Sequence, residues 1–154
     1  MTIRVAALDD APEIADLVAQ LGYPAKVVDA RTRLVRLLDR VDHAVLVAVE
    51  ANHVVGLIHV CVVETLENEP HAEIRGLVVD ETHRSRGAGR QLVAAAEEWA
   101  KERALPRVRV RSNVKRERTR KFYERERYEV TKVQNVFDKS LSVGRSITSA
   151  GGSG

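Results

Sequence analysis

The stretch 72-AEIRGLVVDETHRSRGAGRQLVAAAEEWA-100 decides the fold. Its first part, 72–80, is dense in branched residues and reads as a strand. Its last part sets Leu92, Val93, Ala96, Trp99 and Ala100 at helical spacing, the buried stripe of a helix over about 88–103. Between them stand Gly87 and Gly89, set among Arg84, Arg86 and Arg90. A strand, a glycine turn and a helix start together make an anion site, because the first helical turn leaves backbone N–H groups unpartnered and the macrodipole makes that end partly positive. Glycine lets the main chain approach a phosphate with no Cβ in the way. The plainer alternative is a strand-to-helix turn whose arginines face water. A P-loop needs Lys-Ser/Thr where Arg90-Gln91 stands, and a Rossmann fingerprint needs a third glycine near the first strand, so both are excluded.

Working outward, Thr2–Ala6 reads as a strand. The run 10–24 carries Ile14, Leu17, Val18 and Leu21 at helical spacing, with Asp9 or Asp10 to cap it and Gly22 and Pro24 to end it. A second helix is expected over about 26–40, with Val27, Val28, Arg31, Leu34, Val35 and Leu38 inward. Strands 44–50 and 53–66 are joined by Ala51-Asn52, a hairpin connection. Beyond the quoted stretch come strand 107–111, a helix near 116–125 and strands near 128–131 and 133–138. The order β-α-α-β-β-β-α-β-α-β-β is that of a mixed α/β domain with a parallel crossover at its centre. One domain over 1–139 is expected, followed by a flexible tail over 140–154 that is small and polar.

The bulk composition, 44% apolar and 31% charged in 154 residues, is that of a soluble globule. No apolar run is long enough to span a bilayer, and the opening MTIRVAALDD lacks the apolar core of a leader, so a cytoplasmic location is expected. Cys61, the single cysteine, excludes an internal disulfide or a cysteine-rich metal site, and inside an apolar run it reads as packing. The net charge of +3 hides an asymmetry: residues 1–80 hold thirteen acidic and seven basic side chains, and residues 101–132 hold thirteen basic and five acidic. That favours a polyanionic ligand near the C-terminal half. The basic stretch has no helix-turn-helix or RNA-binding signature, so nucleic acid is not the expected partner.

The quoted segment resembles the acetyl-CoA-binding core of the GCN5-related N-acetyltransferases (GNAT), whose Q/R-x-x-G-x-G/A pattern is met by Arg84-Ser85-Arg86-Gly87-Ala88-Gly89. The run 112-SNVKRERTRKFYERERYEV-130 is similar to the family's final motif, and the opening 3–17 to its usual start. The resemblance implies that the main-chain N–H groups of Arg86, Gly87, Ala88, Gly89 and Arg90 cradle the pyrophosphate of coenzyme A, with the Arg84 side chain nearby. It implies that the backbone of Leu77, Val78 and Val79 lies along the pantetheine arm and the thioester, and that Asn113 contacts the cofactor. Tyr123 matches the acid that protonates the leaving thiolate; its plainer role is packing beside Phe122. Glu73 stands where some relatives place a general base, and is equally read as a solvated strand carboxylate. No metal is expected. His71 and His83 read as surface loop residues.

One departure stands out. Glu126-Arg127 replaces the family's usual Leu-Gly, so Arg127 must either adopt a positive φ at a cost of about 1 kcal/mol or use another turn. The activity implied is direct acetyl transfer from acetyl-CoA to an amine acceptor within a ternary complex. Glu64, Glu67 and Glu69 point to a small cationic acceptor, aminoglycoside-like or polyamine-like, placed ahead of a protein lysine; they read equally as loop carboxylates. The alternative is a non-catalytic acyl-CoA-binding sensor or scaffold. Pairing into a homodimer is a further expectation from the family.

Overall fold

Amphipathic helices pack on both faces of a sheet of branched strands. The structure is a computed structural model that describes residues 1–142. Its elements are β1 (Thr2–Val5), α1 (Ala11–Gln20), α2 (Val27–Leu38), β2 (His43–Glu50), β3 (His53–Val63), β4 (His71–Val79), α3 (Ala88–Glu102), β5 (Val108–Val110) and α4 (Glu117–Arg125). Short 3-10 turns precede α1 and follow β4. The sheet runs in the order β1-β2-β3-β4-β5, antiparallel except for the parallel pair β4–β5.

Two apolar clusters flank that sheet. On one face Leu92, Val93, Ala96, Trp99 and Ala100 of α3 pack with Ile58, Val60 and Ile74, and Tyr123 of α4 joins them. On the other, Ile14 and Leu17 of α1 and Leu34 of α2 pack on Val45, Val47, Leu57 and Val78. Strands covered on both faces need near-continuous apolar runs, which explains 45–48 and 54–58. The α3 stripe read from sequence is buried throughout. The α2 stripe is narrower than expected: Ala30 and Leu34 face inward, whereas Val27, Val28 and Val35 are exposed. One helix face can dock on a sheet only over a limited arc, and six apolar or long residues span more than that arc.

Turn chemistry follows backbone need. Ala51 and Asn52 both take positive φ (50° and 65°), as a two-residue hairpin of the I′ kind requires. Asp10 stands at the α1 start, yet its carboxylate accepts from Ala7 N–H (2.7 Å) and Arg4 (2.7 and 3.0 Å) rather than capping that helix. His71 is not a loop residue: it opens β4 and is buried, its Nδ1 3.3 Å from the Glu69 carbonyl oxygen.

Three helices end in the same Schellman arrangement, with the residue after the C-cap in the left-handed region. For α1 that residue is Gly22 (φ 93°), for α3 Ala104 (φ 55°) and for α4 Arg127 (φ 69°). In α4, Tyr128 N–H donates to the Tyr123 carbonyl (2.9 Å) and Arg127 N–H to that of Glu124 (3.0 Å). Arg127 therefore holds the left-handed turn that glycine takes after α1 and accepts its strain.

The strands expected near 128–131 and 133–138 do not form. Residues 129–142 are exposed and carry no ladder, because no strand of the same chain lies paired with them. Most of the expected tail, 143–154, lies outside the described residues. Among the described residues no helix is long and apolar enough to cross a membrane.

Candidate active site

β4 divides in two. Its edge toward β3 is paired along the whole strand, but β5 pairs only with Ala72–Ile74. At the division sits a bulge: His59 faces Gly76 and Val60 faces Ile74, leaving Arg75 as the extra residue. Beyond it, Gly76 to Val79 present an edge with no strand partner among the described residues. An open edge of this kind accepts an extended, amide-bearing chain as a further strand would.

That edge leads into the glycine turn. Asp80 caps the 3-10 turn by accepting from Thr82 N–H at 3.3 Å, which lowers the Asp80 pKa, and Ser85 then bends the chain at φ 69°. Gly87 is the N-cap of α3 with φ 84°, and a Cβ built there would meet nothing within 4 Å. The first α3 bond closed from Gly87 is Gln91 N–H to the Gly87 carbonyl, at 3.0 Å. The N–H groups of Ala88, Gly89 and Arg90 thus start the helix without intrahelical acceptors, and no acid occupies that turn. Arg84 has no ion-pair partner among the described residues, and Arg90 is only 3.9 Å from Glu126. These N–H groups and guanidinium charges form an anion cradle that fits a diphosphate.

Edge, turn and α4 surround one open cleft of about 930 Å³. Leu77, Val78, Val79, Arg84, Gly87, Ala88, Gly89, Arg90 and Tyr123 all line it. Tyr123 is 7% exposed, edge-on to Phe122 (5.1 Å between centroids) and to Tyr128 (5.5 Å). Its hydroxyl makes no hydrogen bond with the described residues. Burial raises the phenol above its ordinary range, so the proton stays on oxygen at neutral pH. The aim of the ring is fixed from behind: the Tyr128 hydroxyl donates to Glu97 Oε2 at 2.8 Å, tying the end of α4 to α3.

Glu73, Asn113 and the side chain of Arg86 lie off the cleft wall. Glu73 is neither solvated nor on the cleft wall: it is 3% exposed, with Arg75 on one oxygen and Arg111 Nε on the other at 3.1 Å. Two guanidinium groups occupy it, so it acts here as the anchor of both arginines. The Arg86 side chain turns away from the cleft toward Glu50, 3.9 Å distant, so only its backbone belongs to the turn. Asn113 is also off the wall; its Oδ1 accepts from Lys115 N–H at 2.9 Å, an Asx turn that leads into α4. Cys61 is buried, and burial raises its thiol pKa, which removes it as a nucleophile. Glu64, Glu67 and Glu69 do not line the cleft.

His59 was not legible as a site residue. It lies mid-strand in β3, lines the cleft, and its Nε2 is 2.8 Å from Nδ1 of His43 on β2. Desolvation, then the nearby charges of His43 and Arg75, push its pKa down to about 4, so the imidazole is neutral at pH 7. Only the strand alternation hinted at it: a histidine amid an apolar run needs a partner. Among the described residues no group of three or more His, Cys, Asp or Glu is placed to hold a metal ion.

A five-stranded mixed sheet with one splayed parallel pair, a glycine anion cradle at a helix start and a tyrosine in the same cleft define an acyl-CoA-using transferase fold. The acetyltransferase (GNAT) family profile matches residues 13–127, well over half of the chain, and the chain belongs to that family as an acyltransferase of the GNAT type. The family generally uses acetyl-CoA and an amine acceptor. Solved structures agree on the fold. A protein described as a transcriptional regulator, from Bacillus halodurans, is 22% identical with a TM-score of 0.80, covering 90% of this chain and 99% of its own. An aminoglycoside antibiotic 6′-N-acetyltransferase from Acinetobacter haemolyticus is 17% identical, with a TM-score of 0.79 and coverage of 92% and 100%. An aminoglycoside acetyltransferase from an uncultured soil metagenomic sample is 22% identical, with a TM-score of 0.73 and coverage of 92% and 96%. No curated protein matches the chain by sequence.

Proposed function

We propose that this chain acetylates a small primary amine by direct attack on acetyl-CoA. The backbone amides of the 86–90 turn, with the Arg84 and Arg90 side chains, bind the pyrophosphate. The free edge at Leu77, Val78 and Val79 takes the pantetheine arm as an added strand and polarises the thioester carbonyl. The amine lone pair bonds to that carbonyl carbon and the C–S bond breaks. Tyr123 gives its proton to the departing thiolate and regains one from solvent. The surplus proton of the amine passes to water. Asn113, spent on the α4 turn, contributes through the placement of that helix.

The observation that supports this most strongly is the unpaired Tyr123 hydroxyl, on the wall shared by the open β4 edge and the glycine turn. The acceptor follows from charge. The wall carries eight arginines and lysines against two carboxylates, Glu117 and Glu126. The phosphates of the cofactor offset part of that surplus and Glu73 offsets part of the charge of Arg75, but Arg33 on α2 remains. A polyamine or an aminoglycoside meets repulsion there, so the acceptor is an amine on a neutral or anionic body. Acetyl-CoA-dependent thiol release across a panel of amines tests this. Turnover with monoamines or amino acids above that with polycations is expected; binding of acetyl-CoA with no turnover on any amine would make the chain a sensor or scaffold instead.

A further inference from the structure

We infer that Arg33 on α2 is a carboxylate-binding residue, and that the amine acceptor is therefore an amino acid. The carboxylate site stands on charge and placement; that its ligand is acetylated rests on the acetyl-transfer reading.

α2 turns one stripe to the cleft. Ala30, Arg33, Leu34 and Leu37 recur at i, i+3, i+4 and i+7, and all four line it. Leu34 is buried in one cluster with Val45, Leu57 and Val78, so the stripe stands over that face of the sheet. Strand alternation carries the same face from Leu57 to His59 and from Val78 to Gly76, and His59 and Gly76 are ladder partners. Gly76 is also where the open edge of β4 begins, and a Cβ built on it would meet nothing within 4 Å. Arg33 therefore shares the cleft with a bare patch of sheet at the end of the edge proposed for the thioester.

No group on that side answers the arginine. The polar residues that α1, α2, β2, β3 and the α1–α2 connection bring to the cleft are Gln20, Tyr23, Arg33 and His59, with no carboxylate among them. The two carboxylates of the wall, Glu117 and Glu126, belong to α4 and its C-cap, and α4 packs on the opposite face through Tyr123. Arg33 makes no ion pair or hydrogen bond with the described residues. Arg75 is paired with Glu73, and His59 is neutral at pH 7, so one full positive charge is left over.

That charge matches a monoanion. A guanidinium holds a carboxylate through two parallel N–H···O bonds, and the pair is then neutral. A phosphate dianion would leave charge unanswered on a side that offers one unpaired cation. In the proposed binding mode the cofactor's own phosphates meet the turn with Arg84 and Arg90, which leaves Arg33 to the acceptor.

Matched acceptor pairs test this: β-alanine against propylamine, and each α-amino acid against its amide, with phosphoethanolamine as the phosphate arm. For at least one amino acid, kcat/KM about 10- to 100-fold above its carboxylate-free match is expected from a charge-assisted pair. Arg33 is exposed, so its variants keep the fold. Arg33→Ala should bring the ratio toward one through KM, Arg33→Lys should restore part of it, and Arg33→Glu should invert it. Acetyl-CoA affinity should stay within about twofold in all three. Calorimetric titration of the same amino acids into the CoA-saturated chain reads the site without turnover, and binding weakened by Arg33→Ala is expected. Equal rates within every pair, or a preference for phosphoethanolamine, would overturn the inference and leave acetyl transfer standing. Arg33-dependent amino-acid binding with no turnover on any amine would uphold the carboxylate site and refute the transfer reading. Loss of acetyl-CoA affinity in Arg33→Ala would make Arg33 a cofactor-phosphate ligand and overturn the inference, as would absence of both binding and turnover.

Discussion

Gly89 lies against the ring of Phe122: a Cβ on Gly89 would stand 3.3 Å from both Cε2 and Cζ of that ring. The glycine usually explained by access of a phosphate is here also the seat of α4. Because Tyr123 follows Phe122 on that helix, the turn that faces the anion also sets where the phenol points.

The two glycines of the turn should therefore fail differently. Gly89→Ala crowds Phe122 and tilts α4, so a loss of about 1–2 kcal/mol in stability and a fall in kcat larger than the change in KM are expected. Gly87→Ala meets no neighbour but must hold φ at 84°, so it should cost about 1 kcal/mol in stability and weaken acetyl-CoA binding more than turnover. Thermal melts with steady-state kinetics on both variants check this; identical kinetic profiles would contradict it.

Strain at the helix ends can be relieved. Gly22 already occupies the left-handed position after α1, whereas Ala104 and Arg127 hold the same conformation with a Cβ. Ala104→Gly and Arg127→Gly should each stabilise by about 0.5–1 kcal/mol, and additively, since they end different helices. Urea unfolding of the single and double variants measures it.

Much of this was legible in the sequence, and the reasons are physical. The α3 stripe, the hairpin at Ala51-Asn52 and the turn at Gly87 each depend on local periodicity or on φ, which neighbouring residues reveal. The Arg127 conflict was readable for the same reason, though not its outcome. Glu73 was misplaced because its partners, Arg75 and Arg111, meet it only through the β4–β5 pairing and the bulge. His59 went unseen because its partner His43 is brought across a ladder. The last two strands were expected from composition, but a strand exists only where another strand accepts it.

Tyr123→Phe removes one oxygen from a well-packed ring. A fall in kcat of about 10²-fold, with acetyl-CoA affinity within about twofold of wild type, is expected from loss of a general acid. Titration and stopped-flow thiol release separate the two quantities. An unchanged kcat would return Tyr123 to a packing role.

Glu73→Gln distinguishes an anchor from a base. With the carboxylate neutralised, Arg75 and Arg111 lose their shared partner, and a destabilisation of about 1–3 kcal/mol is expected. A base would instead show a collapse of kcat at nearly unchanged stability. A melt and a kcat measurement on one preparation decide between them.

Acid should weaken the fold before the carboxylates titrate. His59 has a folded pKa of about 4 against an ordinary 6.5, so between those values the unfolded chain binds more protons. Stability is then full above pH 6.5 and falls as pH drops toward 4, by about 2 kcal/mol after allowance for partial exposure. Asp10, lowered chiefly by its hydrogen bond from Arg4, adds a further loss only as pH falls below 3.8. His59→Gln should flatten the upper window and leave the lower one in place, as seen in urea midpoints against pH.

Calorimetric titration with acetyl-CoA, and with coenzyme A in parallel, tests the central claim most directly. Saturable binding of one molecule per chain is predicted, with Kd on the order of 1–100 µM and weaker binding by Arg84→Ala and Gly87→Ala. No saturable heat with either compound would contradict it.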